Sequence, residues 1–134
     1  MKNESLSLSL NKAKENNFLY NSTIENISEL LECSEIPAWV VKSLEELLEE
    51  ENWEELNNRF YTNLAFGTGG MRGRTIGNFV TKAEQGNTKK NETPNYAAVG
   101  SNTLNEITLL RATKALFLHI TKWLAEEGLQ SQPR

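Results

Sequence analysis

The sequence of 134 residues predicts an α/β fold, and three observations carry that expectation. Apolar residues recur at helical intervals between Ile24 and Leu64. At Ala65 the period breaks into a glycine-rich stretch followed by a strand-like run, and a longer helical pattern then fills the C-terminal part. A switch of period between helical and extended segments is the primary sign of mixed secondary structure.

Residues 1–20 are polar and weakly patterned and read as a flexible N-terminal tail. Residues 21–64 read as a helical lead-in. Ser22 and Glu25 have the spacing of a capping box, with Ile24, Ile27, Leu30 and Leu31 behind them. Pro37 opens a second helix, where its missing N–H costs nothing, and Trp39, Val40, Leu44, Leu47 and Leu48 form its apolar stripe. Glu45, Glu46, Glu49, Glu50 and Glu51 crowd its end, the wrong sign for a helix C-terminus, so the helix frays or stops there, and the Glu45–Glu55 cluster as a whole reads as a solvated face. Asn52 with Glu55 then caps a third helix through about Asn63, carrying Trp53, Leu56, Phe60 and Leu64.

After the glycines, Thr75–Thr81 reads as a short strand and residues 84–98 as a surface loop that includes Lys89 and Lys90. Asn105 or Thr108 caps the last helix, which runs to about Glu127 and is terminated by Gly128. Its expected buried stripe is Ile107, Leu110, Leu116, Ile120, Trp123 and Leu124, placed to cover a sheet. Cys33 reads as a packing residue, His119 as a partly exposed helical residue, and the three tryptophans as packing residues.

Composition narrows the chemistry. All 18 acidic residues are Glu, which excludes Asp-built metal loops and aspartic dyads. One His and one Cys cannot make a His/Cys zinc site, nor can one Cys close an internal disulfide. Residues 1–57 hold 13 Glu against 4 Lys, and residues 58–134 hold 5 Glu against 10 Lys and Arg. An anionic ligand therefore belongs with the second half, while the overall charge of −4 argues against nucleic-acid binding. No apolar run reaches the roughly 20 residues that span a bilayer, and no secretory leader is visible, so no membrane partner and a cytoplasmic location are expected.

The stretch Gly67-Thr68-Gly69-Gly70-Met71-Arg72-Gly73-Arg74 carries the one chemical signal. Glycines let a backbone point several N–H groups at an anion, and Arg72 adds a fork that grips phosphate at two points. The spacing fits neither a Walker loop nor a dinucleotide fingerprint. Spacing alone reads it as a tight turn with an incidental arginine.

The block Asn58-Arg59-Phe60-Tyr61-Thr62-Asn63-Leu64-Ala65-Phe66-Gly67-Thr68-Gly69-Gly70-Met71-Arg72-Gly73 resembles the N-terminal signature of the phosphoglucomutase/phosphomannomutase family, the α-D-phosphohexomutases. Met71 is the one departure in the glycine core, and Gly69 stands where many relatives have Ser. Val99–Asn105 and Arg111–Leu116 resemble two further family segments in the same order.

The resemblance implies that residues 65–134 are the start of an α/β/α phosphohexomutase domain I, cut short near Ser131–Arg134. It implies phosphate or substrate contacts from Thr68, Gly69, Gly70 and Arg72, with Arg74 just outside the shared core. The implied reaction moves a phosphoryl group between the 1- and 6-positions of a hexose phosphate. The implied partners are that hexose phosphate and the remainder of the mutase chain. The family's phosphoserine and Mg2+ loops have no counterpart in this sequence. The expectation is therefore an N-terminal part that holds no catalytic residue, binds no Mg2+ by itself and is inactive alone. The alternative is a stand-alone, non-catalytic binding or regulatory module derived from the same family.

Overall fold

A computed structural model describes residues 2–128. The chain end at Ser131–Arg134 lies outside the described residues. The element order is α1 (Lys2–Glu15), α2 (Asn21–Glu32), α3 (Ala38–Glu49), α4 (Trp53–Phe60), β1 (Phe66–Gly67), β2 (Gly70–Met71), α5 (Lys82–Gln85) and α6 (Glu106–Glu126). Helix accounts for 56% of the described residues and strand for 3%, which overturns the α/β expectation. Among the described residues the strands amount to one antiparallel pair of two residues each.

The expected flexible tail is a helix. Leu6, Leu10 and Ala13 recur at i, i+4 and i+7 on α1, so one face is apolar and buries in the core. Asn17 ends this helix with φ of 56°, and two bonds close the turn, Phe18 N–H to Ala13 O (3.0 Å) and Asn17 N–H to Lys14 O (3.1 Å). That is a Schellman motif, with Asn in the left-handed position it tolerates better than most side chains. α3 ends the same way around Glu51 (φ 52°), through Asn52 N–H to Leu47 O and Glu51 N–H to Leu48 O. The acidic run does stop the helix, but a glutamate occupies a backbone position better suited to glycine.

Helices α1 to α4 enclose one core. Leu6, Leu10, Leu19, Ile27, Val40, Leu44, Leu47, Leu48, Leu56, Phe60 and Val99 form it, with Trp39 and Trp53 packed at its margin. Phe18 stacks on Trp53 and Tyr96 on Trp39 (centroids 5.4 and 4.3 Å apart), so two aromatic pairs pin loops against the helices. The capping box expected at Ser22 does not form, because α2 begins two residues earlier, at Asn21 with Tyr20 as its N-cap. Asn52 caps α4 by accepting from Glu55 N–H, as expected. Cys33 is exposed rather than packed inside.

At the floor of this core lies Arg59, fully buried, with Glu55 and Glu84 buried beside it. Arg59 Nε donates to Glu55 Oε1 (2.7 Å), Nη1 to Glu84 Oε1 (2.6 Å), and Nη2 to Phe79 O (2.5 Å). One guanidinium faces two carboxylates, and further donors supply the balance. Ser43 Oγ and Val99 N–H donate to Glu84 Oε1, Thr81 N–H to Glu84 Oε2, and Asn78 N–H to Glu55 Oε1. Among the described residues no buried side-chain polar atom lacks a partner. A buried ionic group is tolerable only when its remaining lone pairs and protons are met in this way.

This network explains why Thr75–Thr81 is not a strand. Its backbone groups bond to Glu55 and Arg59 side chains instead of to a neighbouring strand. The expected solvated acidic face is likewise corrected. Glu55 is buried, and Glu46 accepts from Lys82 and Ala83 N–H at the start of α5 (2.6 and 3.0 Å). The 84–98 segment is tied down too, since Gln85 Nε2 donates to Lys89 O and Glu92 O, and Glu84 at its start is core. α6 is capped by Asn105 and Thr108 together, and Gly128 follows its end with φ of 67°. Its expected stripe is covered only in part: Ile107 packs against the core and Leu124 is half-buried. Every residue from Thr113 to Trp123 is exposed, because among the described residues the strands amount to one two-residue pair, too small to cover the helix.

Two stability outcomes follow. Arg59→Met strands two buried carboxylates and should cost about 3–5 kcal/mol. Glu51→Gly relieves a side chain from left-handed backbone and should stabilise by about 1 kcal/mol, after the added chain entropy of glycine is deducted. Urea denaturation followed by circular dichroism measures both. An Arg59→Met midpoint equal to wild type would show the network to be dispensable.

Candidate phosphate-contact turn

The resemblance placed its site residues on the glycine stretch, and the structure gives that stretch a definite shape. Phe66 pairs with Met71 and Gly67 with Gly70, which leaves Thr68 and Gly69 as the two residues of the hairpin turn. Gly70 follows with φ of 101°, a conformation that a side chain would strain. Type I turns closed by a left-handed glycine are a standard short hairpin connection.

The Arg72 side chain folds back over the turn. A Cβ placed on Gly69 would lie 3.0 Å from Arg72 Nη2. Ala65, Thr68, Gly69, Gly70 and Arg72 line one open recess of about 250 Å3. Thr68, Gly69 and Arg72 are exposed and Gly70 is half-buried. Among the described residues the Arg72 guanidinium has no carboxylate partner. Four of the five expected residues are thus brought together. Arg74 is not among them. It lies at the hairpin base, where its backbone bridges to Thr103 and its carbonyl accepts from Leu104 N–H (2.9 Å).

The turn stands on a clamped base. Residues 98–104 run between the end of α4 and the segment after β2, bonding to both. On the first side Leu64 N–H donates to Ser101 O (2.8 Å), Ser101 Oγ to Thr62 O (2.6 Å) and Asn102 N–H to Arg59 O (2.9 Å). On the second side Leu104 N–H donates to Arg74 O and Ala98 N–H to Thr75 O (2.8 Å). Gly100 is required by close approach, since a Cβ there would lie 2.7 Å from Arg59 O and 2.8 Å from Thr103 Oγ1. Asn105 locks the same segment to α6. Its Nδ2 donates to Ala98 O, Gly100 O and Thr103 Oγ1, while Oδ1 accepts from Ile107 and Thr108 N–H.

Sequence reasoning missed the residues beneath the turn. Arg59, Glu84 and Ser101 were not singled out as functional or structural groups. A signal existed for two of them. Arg59 lies beside Phe60 and four residues after Glu55, on the face that also carries Leu56, and Thr81-Lys82-Ala83-Glu84 has capping-box spacing, which the structure shows formed.

Comparison with protein-family models, with curated proteins and with solved structures finds no match for this chain. Among the described residues no helix is long and apolar enough to cross a membrane.

The geometry separates two kinds of residue. Gly100→Ala drives a methyl group into backbone and should cost on the order of 2 kcal/mol. Arg72→Ala touches only an exposed side chain and should stay within about 0.5 kcal/mol of wild type. Chemical denaturation of the two variants side by side checks the contrast, and a large loss in Arg72→Ala would mean the arginine is structural.

Proposed function

We propose that this chain supplies the phosphate-contacting turn of a phosphohexomutase, with a hexose phosphate as ligand. The observation that carries the reading is the exposed Arg72 fork lying over Gly69, in the recess it shares with Thr68 and Gly70. The residue block Asn58–Gly73 supplies the family assignment. Arg72 offers two parallel N–H bonds and a permanent charge to a phosphate, as no neutral donor can. The amides of the turn and the Thr68 hydroxyl add neutral donors at short range. Gly69 leaves Arg72 room to lie across the turn. A serine there would bring a hydroxyl but crowd the guanidinium.

The carboxylates of this chain do not fit a magnesium site. Among the described residues no three metal-ligating side chains cluster, and buried Glu55 and Glu84 are held by Arg59 and backbone N–H groups. No step of phosphoryl transfer is assigned to this chain. Its contribution is to bind and orient the phosphate. Purified 134-residue protein is expected to give no conversion of glucose 1-phosphate.

A second reading, a binding module derived from the same family, is favoured by one observation. The base of the turn is clamped by the chain's own residues 98–105, so the recess needs no other segment to form.

Binding is read by titrating glucose 1-phosphate, glucose 6-phosphate and inorganic phosphate against labelled protein and following the Gly69 and Gly70 amide resonances. Hexose phosphates should shift both, and Arg72→Ala should abolish the shifts, with Arg72→Lys intermediate. Equal response to inorganic phosphate would favour the module reading. No response to any of the three would remove the site. In a full-length mutase carrying these residues, Arg72→Ala should cost about 2–4 kcal/mol of transition-state stabilisation.

A further inference from the structure

The chain entering the hairpin and the chain leaving it are held by the same short segment. Before β1, Leu64 N–H donates to Ser101 O (2.8 Å). After β2, Arg74 pairs with Thr103, and its carbonyl accepts from Leu104 N–H (2.9 Å). Gly73 lets the outgoing chain lie against that segment, since a Cβ there would sit 3.1 Å from Leu104 N and 2.9 Å from Leu64 Cδ1. An antiparallel pair of two residues a side has little stability of its own. Where Thr68, Gly69 and Arg72 stand is therefore decided by where residues 101–104 stand.

Asn105, buried at 3% exposure, sets that position with one half of its amide. Oδ1 accepts from Ile107 and Thr108 N–H (3.0 and 2.9 Å), which is the work of a helix cap. Nδ2 serves the loop instead. Its two hydrogens are shared among Ala98 O (3.0 Å), Gly100 O (2.9 Å) and Thr103 Oγ1 (3.0 Å). Thr103 Oγ1 closes the same loop by donating to Ala98 O (2.7 Å). Residues 98–104 are thus folded back on themselves, which turns Ser101, Thr103 and Leu104 toward the two ends of the hairpin. Ser and Asp cap a helix about as well as Asn. An ionised Asp has no hydrogen to give to the loop, and the Ser side chain is one atom shorter. The cap and the loop clamp can therefore be separated at this one position.

We propose that Asn105 is a positioning residue for the phosphate-contact turn. Its amide donors fix residues 98–104, and these hold Leu64 and Arg74 so that Arg72 and the Gly69 and Gly70 amides meet one phosphate together. This assignment rests on the phosphate reading of the turn and adds to it a buried residue that touches no ligand.

Amide resonances of the full chain test it, with glucose 1-phosphate as the probe. Asn105→Asp keeps the helix cap and turns a carboxylate oxygen toward Ala98 O and Gly100 O. Asn105→Ser keeps a cap and withdraws the donors without adding charge, and it carries the test where the Asp variant does not fold. Leu6→Ala is the control, because it loosens the core from α1, which packs on α2 and α3. Circular dichroism checks that each variant is folded. Without ligand, the Gly69 and Gly70 amide resonances should move in the Asn105 variants and hold in Leu6→Ala. The Asn105 variants should bind glucose 1-phosphate on the order of tenfold more weakly than wild type, since a contact group misplaced by about 1 Å loses most of its effect. Leu6→Ala should bind as wild type does. Unmoved Gly69 and Gly70 resonances in a folded Asn105 variant would overturn the proposal, and so would wild-type affinity. An equal loss of affinity in Leu6→Ala would overturn it in favour of general stability. A wild-type chain that binds no glucose 1-phosphate would instead remove the phosphate reading, and the ligand-free resonances alone would then decide whether Asn105 positions the turn.

Discussion

Arg59 is the charge around which the rest of the chain is arranged. A guanidinium at 0% exposure is costly to desolvate, and its hydrogens must all find acceptors. It finds them on four separate segments, at Glu55 on its own helix, Glu84 on α5, Phe79 O in the loop between, and Val99 O at the start of the clamp. No apolar contact could bring these segments together in one register, because hydrophobic burial has no direction. The hydrogen-bond geometry does. Gly77 belongs to the same arrangement, since a Cβ there would run into the Arg59 and Glu55 side chains.

The glycine turn depends on this arrangement at one remove. Its residues touch none of the buried charges. They stand on residues 98–104, which bond to Arg59 O on one side and to Arg74 O and Thr75 O on the other. Val99 N–H donates to Glu84, so the beginning of the clamp is fixed by the buried network itself. A turn with four glycines in seven residues has little intrinsic order. What fixes its position is the base, while Thr68, Gly69 and Arg72 remain open to solvent.

The helices were legible in the sequence where their signals were local. Asn52 with Glu55, Pro37 before Ala38, and Asn105 with Thr108 all mark observed helix starts, and Gly128 marks an observed end. The failures have a common cause. α1 was read as a tail because Ser and Asn interrupt an apolar set of only Leu6, Leu10 and Ala13, and its order comes from packing on α2 and α3. Thr75–Thr81 has strand-like residues, but the partners that claim its backbone are side chains 20 or more positions away. Glu55 and Glu84 each follow a capping residue by three, which marks a helix start, but their burial is non-local, since it depends on Arg59, Asn78 and Val99. The turn itself was legible as a turn, and the fold-back of Arg72 over Gly69 was not, because it depends on the hairpin register.

The contacts of Arg59 also impose an order on synthesis. As the chain leaves a ribosome, α1 to α4 emerge with all their apolar residues before Glu84 and Val99 exist outside the tunnel. The four helices can collapse at that stage, but only around a guanidinium with one of its carboxylates and none of its later acceptors. Closing the core then would bury an unmet charge, so the nascent bundle must stay loose or hold Arg59 in water. Final packing waits until residue 105 or so has cleared the exit. The last part of the core to set is therefore its floor, and the glycine turn takes its position in that same late step.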